Sequence, residues 1–122
     1  MEDCLLLDEG SSEMAFGLNV RFTARDETAV RSFDALVTET LVGIREQEPG
    51  TLVYVSHAVE GQPLQRIFYE LYVDREAFDR HEQQPHIRRF LAAREAFVDS
   101  VEVDFLDPLG AAGIPIGVTR DA

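Results

Sequence analysis

Two of the chain's three histidines, His81 and His86, lie close together in a helical stretch, and imidazole is the side chain best suited to moving a proton near neutral pH. His81 follows Phe78 by about one turn, on the face that Ala77 and Phe78 turn toward a core. His86 follows Pro85, a residue that fits the first turn of a new helix. Each is a candidate general base; the plainer alternative is a pair of partly exposed helix histidines. The spacing His-x-x-x-x-His misses the i, i+4 pair that chelates from one helix face, and His57 is distant, so no metal site is expected. Phe68, Tyr72 and Phe78 can line a pocket for a planar aromatic ligand, although Phe78 serves core packing equally well. The Tyr72 hydroxyl needs a partner if buried. Asn19 is an amide at mid-strand, where it either orients a ligand oxygen or finds partners at an edge or interface. Glu70 and Arg21 read as a pair beneath the pocket or, more plainly, as a structural ion pair or solvated edge charges. No G-x-G-x-x-G and no cysteine-rich ligand set occurs, so no cofactor is expected.

The elements that must position these groups are legible as a change of period. Residues 1–14 show no sustained pattern and read as a flexible tail. Phe16, Leu18, Val20 and Phe22 then alternate with Gly17, Asn19, Arg21 and Thr23, the period of a strand. Asp26 suits a helix N-cap, and Phe33, Leu36, Val37, Leu41 and Ile44 form one helical face that Pro49-Gly50 ends. Residues 52–59 and 64–73 are rich in β-branched and aromatic residues, and the turn residues 60–63 join them as a hairpin. Asp74 caps a second helical region that breaks at Gln84-Pro85 and resumes as a longer helix, with Ile87, Phe90, Leu91, Arg94, Phe97 and Val98 as its stripe. Val101, Val103 and Phe105 alternate in a last strand. Residues 15–108 thus form one domain, and 109–122 read as an extended C-terminal arm.

The order βαββαβ is the α+β, ferredoxin-like arrangement with an antiparallel sheet. Two helices can cover only one face of the four-stranded sheet, yet Ile67, Tyr69, Leu71 and Val73 make the other face apolar as well. A lone protomer would leave that face in water, so a homodimer pairing its sheets, a dimeric α+β barrel, is expected.

Bulk composition narrows the partners. The 122 residues carry 11 basic and 23 acidic side chains, a formal charge of −12. So acidic a surface repels phosphate backbones and anionic lipid, and neither nucleic acid nor membrane is expected as a partner. The third strand also lacks the glycines of an RNA-recognition motif and carries Glu70. The one cysteine, Cys4, cannot form an intramolecular disulfide, and no secretory leader or membrane span is seen, so a cytoplasmic protein is expected.

Glu48-Pro49-Gly50, Tyr54, Glu70 and Tyr72, Asp74, Glu76-Ala77-Phe78, His81 and Pro85-His86 follow one another in a pattern that resembles the antibiotic biosynthesis monooxygenase family. The resemblance spans about residues 15–106. It implies a pocket between sheet and helices, and oxidation of phenolic, quinol or polyketide-like aromatics by O2 without metal, flavin or haem. The chain departs from the family's anthrone oxygenases, carrying Phe68 and Tyr72 where those have Asn and Trp, and is more similar to the quinol monooxygenase branch. Haem-degrading relatives need a later helix histidine that is absent here. The expected function is a cofactor-independent monooxygenase with His81 or His86 as base and Asn19, Phe68, Tyr72 and Phe78 around the substrate. The alternative is a non-redox isomerase or degradation enzyme, or a dimer that binds a small ligand in the same pocket.

Overall fold

Strand β1 (Phe16–Ala24) buries Phe16, Leu18, Val20 and Phe22 on one face, as its alternation requires. The computed structural model describes residues 15–113; the expected N-terminal tail and most of the C-terminal arm lie outside them. Helix α1 (Glu27–Gln47) starts where the Asp26 carboxylate accepts the Ala29 amide at 2.8 Å, and it buries Phe33, Leu36, Val37 and Ile44. It stops at Glu48, before Pro49.

Strands β2 (Thr51–Val59) and β3 (Gln62–Tyr72) form a hairpin tighter than expected, joined by Glu60-Gly61 alone. Gly61 has φ of 78°, a conformation that glycine takes without steric cost. Pro63, expected in the turn, lies near the start of β3, where a missing N–H is tolerated.

Helix α2 (Arg75–Gln83) is capped by Asp74, which accepts the Ala77 amide at 2.8 Å. Helix α3 (Pro85–Ala93) carries Pro85 in its first turn. The expected longer helix is a correction: α3 matches α2 in length, and Arg94–Ala96 tighten into a 3-10 turn. The Phe97 amide bonds the Arg94 carbonyl, the Arg25 amide bonds the Phe97 carbonyl, and strand β4 (Val98–Leu106) begins there. Sheet pairing with Ala24 thus claims Val98, and Phe97 closes the 3-10 turn before it, although the apolar spacing of both alone suited a helix.

The antiparallel sheet has the order β2-β3-β1-β4, the ferredoxin-like α+β topology. Register assigns the faces. Toward the helices point Tyr54 of β2; Arg66, Phe68, Glu70 and Tyr72 of β3; the four core residues of β1; and Val101, Val103 and Phe105 of β4. Phe22, Phe33, Phe68 and Phe90 pack there as an aromatic cluster with ring centroids 4.7–6.1 Å apart. The far face carries Val53, Val55, His57, Ile67, Tyr69 and Leu71 on one half, and Asn19, Arg21, Glu102 and Asp104 on the other. Among the described residues, no helix is long and apolar enough to cross a membrane.

Candidate functional site

A cavity of about 250 Å3 opens between the sheet and helices α2 and α3. Its walls are mostly apolar, with Leu18, Val20, Phe22, Phe78, Ile87 and Phe90 among them, and β4 supplies Val101, Val103 and Phe105. The helices leave β4 uncovered, so Val103 is 44% and Phe105 61% exposed at the open side. Five polar residues reach this space: Tyr54, Glu70, His81, Glu82 and Arg94.

His81 is buried, on the face of α2 that also buries Ala77 and Phe78. Its Nδ1 lies 2.7 Å from Oε1 of Glu48, the residue that ends α1. The same oxygen accepts the Thr51 hydroxyl at 2.7 Å. The other carboxylate oxygen, Oε2, lies 2.5 Å from Nε2 of His86. Burial works to raise the Glu48 carboxyl, but the bond and charge of His81, with the Thr51 and His86 bonds, outweigh it and hold Glu48 below its ordinary value. An ionised carboxylate only accepts, so the proton in the His81–Glu48 bond sits on Nδ1. In a neutral ring Nε2 is then bare, and it is the nitrogen nearer Glu70, at 4.0 Å from Oε1.

Glu70 lies on the inner face of β3 and is 5% exposed. Burial pushes it up to about 7, against the Tyr72 bond and the His81 charge, while Glu82 and Glu48 raise it further. Near neutral pH it can therefore hold or release a proton beside the cavity. The Tyr72 hydroxyl donates to Glu70 Oε1 at 2.6 Å. Burial, with Glu70 adjacent, pushes the Tyr72 hydroxyl far up, so it stays a neutral donor. Tyr54 is pushed up for the same reasons.

Two glycines permit this convergence. A Cβ on Gly50 would lie 2.7 Å from Cβ of Ala77, so the missing side chain lets α2 bring His81 onto Glu48. A Cβ on Gly43 would lie 2.5 Å from Cγ of His86. Among the described residues, no three His, Cys, Asp or Glu side chains are grouped so as to hold a metal ion.

Residues 15–93 match the model of the family described as antibiotic biosynthesis monooxygenase. The chain belongs to that family. The family's fold recurs in solved structures. Rv0793 from Mycobacterium tuberculosis is 25% identical, with a TM-score of 0.73 over 81% of this chain and 99% of that one. A Caulobacter crescentus protein provisionally described as an antibiotic biosynthesis monooxygenase is 16% identical, with a TM-score of 0.76 over 84% and 97%. A mutant of SnoaB, a cofactor-independent oxygenase from Streptomyces nogalater, is 17% identical, with a TM-score of 0.70 over 81% and 97%. No curated protein sequence matches.

Within this antibiotic biosynthesis monooxygenase domain the expected site residues separate. His81 and Phe78 line the cavity. His86 does not; it reaches Glu48 instead. Phe68 and Tyr72 lie beneath the wall, 1% and 0% exposed, the first in the aromatic cluster and the second bonded to Glu70. Asn19 pairs with Tyr69 and Asp104 on the far sheet face, so strand alternation turns it away from the cavity. The expected Arg21–Glu70 pair is also a correction. The two residues occupy opposite faces, and Arg21 instead donates to Gln65 at 2.5 Å and approaches Glu102 at 4.0 Å.

Glu48 and Glu70 are the residues that sequence reasoning underused. Glu48 carried a signal, since a carboxylate at a helix C-terminus opposes the macrodipole and needs another reason to be there. Glu70 stands between the aromatic Phe68 and Tyr72 on the inner face of β3, which marks an acid held in the core.

Proposed function

We propose that this protein is a cofactor-independent monooxygenase that oxidises a phenolic, quinol or polyketide-like aromatic substrate with O2. The observation that carries this reading is His81, held by Glu48 through Nδ1 at the wall of an apolar cavity that it shares with Glu70. The gap between His81 Nε2 and Glu70 suits a hydroxyl group. A substrate hydroxyl seated there gives its proton to Nε2, and Glu48 stabilises the imidazolium. The resulting anion is electron-rich enough to pass one electron to O2, and recombination of the two radicals forms a carbon–peroxide bond. Protonated Glu70 or the His81 imidazolium returns a proton to the peroxide. The carbon that takes up O2 carries one hydrogen in the hydroxyarene form of the substrate, and loss of that hydrogen with the outer hydroxide as water leaves a carbonyl, with one atom of O2 in the product and the other in water. The apolar walls hold substrate and O2 together and keep water out.

The test is O2 uptake with a panel of quinols and anthrones, in the presence of a chelator and with no added flavin. Sustained uptake is the expected result; no uptake with any member would overturn the proposal. A second reading is favoured by one observation, that two proton-transfer groups face one cavity. Such a pair also suits isomerisation of a small hydroxyketone, and turnover under argon would select it.

The proposal extends to a homodimer in the cytoplasm, a dimeric α+β barrel. Val55 is 41% exposed and pairs with Tyr69 on the apolar half of the far face, beside Ile67. A second copy pressed against this half would remove it from water. Sedimentation should show two protomers for the native chain and one for a V55D/Y69D variant. A native chain that sediments as one protomer at micromolar concentration would contradict the dimer.

A further inference from the structure

We infer that Gly43 and His86 form a positioning pair, in which the missing side chain of Gly43 gives the His86 ring room to hold the outer oxygen of Glu48 and thereby fix His81 at the cavity. This deepens the proposed function, because it rests on His81 acting there. His86 is a positioning residue rather than a catalytic one, since it does not touch the cavity.

Glu48 uses its two oxygens differently. Oε1 serves His81 and Thr51, and Oε2 is met by His86 among the described residues. The terminal torsion of a glutamate is soft and roughly two-fold, so one anchored oxygen does not fix the carboxylate plane. The second anchor does, and with it the direction in which His81 presents Nε2. Gly43 is otherwise hard to explain. It sits inside a helix of 21 residues, where glycine is disfavoured relative to alanine. A Cβ there would meet His86 at Cγ, Nδ1 and Cβ, at 2.5, 2.7 and 3.0 Å. Those atoms are the root of the side chain, so turning its tip cannot relieve the clash. Either the imidazole leaves Glu48 or α3 moves off α1.

Two readouts test the pair. In steady-state kinetics with a quinol, G43A and H86L should each lower kcat by about 10–100-fold with KM little changed, because a misplaced base costs turnover rather than binding. H86Q, whose amide can still donate to Oε2, should restore most of kcat. The second readout is thermal unfolding, which needs no activity. G43A should lower Tm in the native chain and raise it in an H86A background, where only the helix preference for alanine remains. If the native chain oxidises no quinol, the proposed function fails and the unfolding cycle still decides the pairing. The inference is overturned if G43A shifts Tm by the same amount in both backgrounds, or if H86L turns over as fast as the native chain.

Discussion

Replacing His81 with alanine is expected to lower quinol-dependent O2 uptake by about 10²–10⁴-fold, the usual contribution of a positioned proton-transfer group. The substitution removes the imidazole that lines the cavity and is held through Nδ1 by the ionised Glu48 carboxylate, along with the bare Nε2 that lies toward Glu70. E48Q should cost nearly as much while leaving His81 in place. Its amide can present either a donor or an acceptor to Nδ1, so the tautomer that bares Nε2 is no longer enforced. R89A is the control, because the Arg89–Glu39 ion pair is exposed and neither residue lines the cavity. Measured as kcat/KM, the H81A and E48Q losses should be far from additive when combined, as for groups that act as a unit. An H81A protein that keeps its fold and its O2 uptake would remove His81 from the chemistry.

Glu70 predicts the second large effect, on stability. Its ordinary value is 4.5, and burial raises the folded protein's to about 7. Between those values the native state binds more protons than the unfolded chain. Stability from this group is therefore fully present below pH 4.5 and is lost as pH rises through about 7. The loss is on the order of 3 kcal/mol once Glu70 is ionised, since every tenfold change in proton affinity is worth about 1.4 kcal/mol. E70Q keeps an oxygen to accept the Tyr72 hydroxyl but cannot ionise. Urea titrations should find E70Q more stable than the native chain by up to about 3 kcal/mol well above pH 7, and the two nearly equal below pH 4.5. The gain should come with slower turnover if Glu70 returns the proton to the peroxide. A difference that does not change with pH would mean that Glu70 is not held in its raised state.

Period and cap chemistry made most of the frame readable. Asp26 and Asp74 cap helices as their side chains suggest, and Phe16 to Phe22 face the core as their alternation requires. Legibility fails where tertiary contacts choose between equal local options. Phe97 and Val98 suit a helical stripe or a strand, and pairing with Ala24 decides Val98 for the strand while Phe97 closes the turn before it. Asn19 lies in the predicted strand, but the strand has two faces, and mid-strand polarity suited either a ligand or the far face. Glu48 lay in a turn signature, and nothing local said that two histidines from the following helices would close on it. Its burial comes from the close approaches at Gly50 and Gly43, which are properties of packing rather than of spacing.

Isotope-labelled oxygen gives the sharpest check on monooxygenation with His81 as base. Turnover of a quinol or anthrone substrate under 18O2 in unlabelled water, read by mass spectrometry of the product, should place one 18O atom in each product molecule, and the H81A protein should form that labelled product about 10²–10⁴-fold more slowly. Product that takes its new oxygen from solvent, or that forms at the same rate without O2, would contradict it.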